Sequence, residues 1–120
     1  MDTLNSILVC FIALQHITFL ILEMFLWDTP FGHKVLKLEP SFAKASAFLA
    51  KNQGIYNGFL AAGLIWSLLT PEALFGHQLQ IFFLSCVLVA GIVGALTASV
   101  GILFIQALPA AVALSLIYFN

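Results

Sequence analysis

The sequence predicts an all-α fold, an integral membrane four-helix bundle forming one transmembrane domain over residues 1–120. Three observations lead there. The chain is 62% hydrophobic and 8% charged with a mean hydropathy of +1.12, whereas soluble domains carry about 25% charged residues. Its apolar runs have the length of membrane spans, about 20 residues each, so 120 residues hold four and no second domain. All four lysines fall between the first and second runs.

The first span is expected over residues 4–27, with Trp27 as an interfacial anchor. Nothing in it reads as a cleavable signal: it lacks a basic leader and a small-residue cleavage site, and its apolar run is too long. Asp28-Thr29-Pro30-Phe31-Gly32 breaks it, and a loop is expected from Asp28 to about Pro40. Pro40-Ser41 starts a helix running to Leu69, amphipathic at first and membrane-embedded over 48–69. Residues 70–77 form a short loop. The apolar stretch 78–119 is too long for one span, and the small, weakly polar segment Gly94–Gly101 is its expected turn. That gives spans over 79–96 and 100–118. The lysine-bearing loop 28–51 belongs in the cytoplasm, with both termini outside, in a cell (inner or plasma) membrane.

Composition and motifs exclude several classes. A net charge of −1 and no arginine argue against nucleic acid as a partner. Cys10 and Cys86 lie in apolar runs without CxxC or Cys/His spacing, so they read as small hydrophobes. No metal site, cofactor motif, Walker loop or nucleophile elbow is present.

Polar residues inside the spans carry the functional signal. Glu23 is the sharpest, because an ionisable group there costs about 2.5–3.5 kcal/mol on insertion scales and so marks a site by default. His16, seven residues earlier, shares its helix face at about 10 Å along the axis, two stations on one stripe. On the second span Gln53 and Asn57 stack four apart, as do Asn52 and Tyr56. The two spans are antiparallel, so a polar pocket is expected near the cytoplasmic side from Glu23, Gln53, Tyr56 and Asn57. Asn52 lies beside it and His16 deeper, and Lys51 snorkels or pairs with Glu23. On the fourth span Pro109 cannot donate to the carbonyl of Ile105, and Gln106 extends toward His16 or Asn57 if that span packs there. The plainer alternative is that these amides only hold helices together.

The combination His16-Ile17-Thr18-Phe19, Leu22-Glu23-Met24-Phe25-Leu26-Trp27 and Asn52-Gln53-Gly54-Ile55-Tyr56-Asn57-Gly58-Phe59-Leu60-Ala61 resembles a bacterial family of small membrane proteins, domain of unknown function 1304. The resemblance covers nearly the whole chain and implies a four-span membrane protein bearing these signature residues, with no activity to carry over. Small multidrug exporters are similar only in length, span number and a first-span glutamate.

Three functions follow as expectations. The first is binding or transport of a small amphiphilic or hydrophobic ligand or lipid at Glu23, proton-coupled, by a homodimer in the bilayer. The second is an isomerase-like membrane enzyme on a lipid or quinone-like substrate, with Glu23 or His16 as general base and Tyr56 and Asn57 stabilising an oxyanion. The third is an accessory subunit whose polar residues specify packing.

Overall fold

A computed structural model describes residues 2–119, and among them all regular structure is helical. Five α-helices follow one another: α1 (Thr3–Ile21), α2 (Pro30–Leu36), α3 (Pro40–Leu69), α4 (Ala73–Thr97) and α5 (Leu108–Phe119). Two of them adjoin wider π-helical turns. Leu22–Leu26 extends α1, and Leu103–Ala107 leads into α5 just before Pro109. Proline removes a backbone donor, and a π-turn is one way a helix accommodates such a break.

Thr3–Leu26 and Ala73–Thr97 are long and apolar enough to cross a membrane, and Leu103–Phe119 is a shorter apolar helix. In α3 the amides of Asn52, Gln53 and Asn57 interrupt the apolar sequence.

Two connections differ from the sequence reading. The expected loop after Asp28 contains α2, because its local signals are those of a helix. Thr29 has extended backbone angles and its Oγ1 accepts from the Gly32 N–H at 3.1 Å, an N-cap with Pro30 at the first helical position. Lys37, at φ 56° and ψ 46°, closes the helix in the left-handed conformation. The loop expected over 70–77 is shorter, since α4 begins at Ala73 with Glu72 as its N-cap. The second long break falls at residues 98–100. There Ala98 and Ser99 both donate to Gly94 O, at 2.8 and 3.1 Å, and Ser99 Oγ accepts from the Gly101 N–H at 3.2 Å. Serine thus offers the chain a local partner that competes with continued helix.

The contacts group the chain into two units. One comprises Met1–Leu14 and Leu60–Asn120. It holds the apolar core of Val9, Ile12, Ala13, Leu64, Leu84, Val87, Ala110 and Ala113. Gly91 of α4 sits where an added Cβ would meet Ala107 backbone nitrogen at 2.8 Å, so only glycine lets the π-turn approach this closely. One polar pair is buried in this unit: Asn5 Nδ2 donates to Gln80 Oε1 at 2.7 Å. The other unit is Gln15–Phe59, which contains the end of α1, its π-turn, α2 and the first two-thirds of α3.

Candidate functional site

The unit Gln15–Phe59 contains six of the seven residues singled out by sequence, and three of them form one chain of hydrogen bonds. Asn57 is the middle member. Its Nδ2 donates to Glu23 Oε1 at 2.5 Å, and its Oδ1 faces His16 Nδ1 at 2.8 Å. An ionised carboxylate only accepts, so the amide nitrogen must face Glu23 and the amide oxygen His16. His16 Nδ1 is then the donor. In the neutral ring this leaves the lone pair on Nε2, and that atom is buried without a hydrogen-bond partner among the described residues. His16 is fully buried and its ring meets the Phe19 ring edge-on at 5.3 Å.

The backbone explains why these groups converge although His16 and Glu23 lie about 10 Å apart along an ideal helix axis. Side chains lean toward the N-terminus of their helix, so Glu23 leans back toward His16, and the π-turn Leu22–Leu26 sets its rotation. The opposing helix comes close because it presents glycine. A Cβ on Gly54 would meet Met24 Cγ at 2.6 Å, Glu23 Cβ at 3.2 Å and the Leu20 carbonyl oxygen at 3.3 Å. One turn later, a Cβ on Gly58 would meet Leu20 Cδ1 at 2.7 Å. The pair at i and i+4 is the small-residue spacing that lets helices approach in apolar surroundings. Asn57 projects from this same close face and is 7% exposed.

Farther along, Trp27 Nε1 donates to Ser46 Oγ of α3 at 2.9 Å, and Ser46 Oγ donates to the Phe42 carbonyl at 2.7 Å. The expected interfacial tryptophan is thus half-buried and ties the end of the first helix to α3. Between this tie and Asn57 lies a half-open cleft of about 430 Å³. Its polar lining is Glu23, Asp28, Thr29 and Lys51, and its apolar lining is Met24, Phe25, Trp27 and Ala47. Glu23 is therefore both the end of the buried chain and part of the cleft wall. Lys51 lines the same cleft but forms no ion pair with Glu23 among the described residues. The ion-pair geometry present is His33 Nε2 to Asp28 Oδ1, at 2.9 Å.

The remaining candidates stand apart from the trio. Gln53 lies on the shoulder of the packed face with its side chain exposed, and its backbone carbonyl accepts from Asn57 Nδ2 at 3.4 Å. Asn52 is exposed, as is Tyr56, whose ring packs edge-on against Phe59 at 5.9 Å. Gln106 belongs to the other unit, half-buried in the π-turn Leu103–Ala107. The sequence reading missed the Asn5–Gln80 pair. The signal was present, since each is an amide inside an apolar stretch. No group of three or more His, Cys, Asp or Glu among the described residues is placed to hold a metal ion.

Neither the curated proteins nor the solved structures contain a match to this chain. A family model matches residues 10–118, a stretch that includes the trio, the cleft and both glycines. On that near-complete match the chain belongs to the family described as protein of unknown function DUF1304.

Proposed function

We propose that this chain is a four-span membrane protein that binds, and in doing so helps to move, a small amphiphilic molecule at Glu23. The carboxylate exchanges a proton with the ligand in a cleft open to the cytoplasmic side. The observation that carries this reading is the state of Glu23. Oε1 is committed to Asn57, Oε2 has no hydrogen-bond partner among the described residues, and the side chain lines the cleft. The bond to Asn57 thus leaves the second oxygen available to a ligand in the cleft.

Several further observations support the membrane setting. Large apolar side chains stand fully outward, with Phe48 84%, Leu69 75% and Leu96 82% exposed, a surface that water does not tolerate in such quantity. The four lysines lie in the 28–51 segment and Lys51 lines the cleft, which supports a cytoplasmic place for this end and an outside place for both termini. A transporter reading fits better than an enzyme, because His16, the stronger base candidate, is fully enclosed and reaches Glu23 only through an amide.

Labelling in native membranes with a lipid-soluble carbodiimide tests the proton exchange. The reagent activates protonated carboxyls that it can reach, so Glu23 is expected to be modified, as read by peptide mass spectrometry. Glu23 left unmodified, while Glu39 and Glu72 also remain so as solvated controls, would overturn the reading.

A further inference from the structure

The hydrogen-bonding groups of the cleft select the chemistry of its ligand. Resting on the reading above that Glu23 is a ligand site, we propose that the ligand carries a positively charged alkylammonium head.

The donors of the cleft wall are already spent. Trp27 Nε1 donates to Ser46, and Thr29 Oγ1 donates to the Leu26 carbonyl at 2.7 Å while accepting from Gly32. Lys51 is the remaining side-chain donor among the lining residues. The acceptors are in surplus. Glu23 keeps Oε2 uncommitted, and Asp28 uses Oδ1 toward His33 and keeps Oδ2. Two carboxylates face one ammonium, so the cleft has a formal charge of −1 with His33 neutral. Lys51 alone could donate to a phosphate or carboxylate head, which would then stand against the two carboxylates. The wall offers a cation two carboxylate oxygens and the aromatic rings of Trp27 and Phe25, the latter 67% exposed. The volume of about 430 Å³ suits a head group with its first methylenes, the rest of an alkyl chain continuing along the outward apolar side chains.

Trp27 supplies its own readout, since Trp66 is the other tryptophan in the chain. In lipid nanodiscs, a Trp66→Phe protein would be titrated with hexyltrimethylammonium, hexanol and hexanoate, three probes with one chain and different heads. The ammonium is expected to change Trp27 emission saturably, with hexanol weaker and hexanoate without a saturable effect. Glu23→Gln keeps an oxygen to accept from Asn57 and is expected to weaken ammonium binding roughly 10- to 100-fold, the loss of one charged contact. Lys51→Gln removes the competing cation at an exposed position and is expected to tighten it. Hexanol binding as tightly as the ammonium, with both lost in Glu23→Gln, would overturn the charge selection and leave the ligand site standing. Weaker ammonium binding in Lys51→Gln would overturn it as well. No saturable change with any probe would overturn this inference, and carbodiimide labelling of Glu23 would then decide separately whether the carboxylate exchanges protons.

Discussion

Asn57 Nδ2 donates to Glu23 Oε1 at 2.5 Å, and the opposite end of the same amide faces His16 Nδ1 at 2.8 Å. A primary amide has a donor end and an acceptor end, so the charge state of Glu23 and the tautomer of His16 are not independent. With Glu23 ionised, the neutral His16 ring carries its proton on Nδ1. Nitrogen NMR of ring-labelled protein in lipid is expected to show that tautomer for His16. In Asn57→Ala the preference should relax, because the oxygen that selects it is gone. The Nε2–H tautomer in the wild type would refute the relay.

Removing the amide should also cost stability. Asn57→Leu leaves the His16 donor unsatisfied inside the protein, and an orphaned buried polar group costs about 1–3 kcal/mol. Unfolding in mixed micelles is expected to register a loss of that size. Gln53→Leu, on the exposed shoulder of the same helix, should fall within about 0.5 kcal/mol of wild type. Equal losses in the two variants would mean that burial does not separate them.

Gly54 sets how close Glu23 comes to Asn57. A Cβ there meets Met24 Cγ at 2.6 Å, close to the root of that side chain, so Gly54→Ala is expected to force Met24 into another rotamer and to lose some stability. Gly54→Leu adds three more carbons beyond a Cβ that already stands 3.2 and 3.3 Å from Glu23 Cβ and the Leu20 carbonyl oxygen. It should separate the helices and cost roughly 1–3 kcal/mol, as overpacking does. A melting series over the two variants checks the ranking. A Gly54→Leu protein as stable as Gly54→Ala would contradict it.

The Trp27–Ser46 bond ties the cleft end of the unit. Trp27→Phe and Ser46→Ala should each lose about 0.5–1.5 kcal/mol, and the double variant should lose less than their sum, because one interaction is removed twice. Strict additivity in this cycle would show that the two side chains do not interact.

Orientation has its own test. In a protein whose Cys10 and Cys86 are replaced by Ala, Asp2→Cys is expected to react with a membrane-impermeant maleimide added to intact cells. Lys37→Cys should react only after permeabilisation, as the proposed orientation predicts. The reverse pattern would invert the assignment.

Much of this was legible in the sequence because it depends on composition and helix periodicity. Apolar runs with few charges gave the helices, and Glu23, His16 and Asn57 stood out against them. The pairing was not legible. Lys51 is the obvious charge partner for Glu23 in a linear reading, yet Asn57 holds it, because Gly54 and Gly58 turn that face of α3 inward and leave Gln53 at its edge. A spacing of four places Gln53 and Asn57 on one stripe but does not say which of them faces the neighbouring helix. The helix α2 was hidden by its proline, read as a breaker although Thr29-Pro30 is equally a cap followed by a first helical residue. Asn5 and Gln80 are 75 positions apart, and no local pattern joins them.

The central claim, that Glu23 holds a small molecule, is tested most directly by native mass spectrometry of gently extracted protein, wild type beside Glu23→Gln, with identification of whatever travels with each. A discrete small molecule bound to the wild type and absent from the variant, at equal fold stability, is the expected result. Two equally stable proteins that both emerge empty would contradict the claim and leave Glu23 with a role in packing alone.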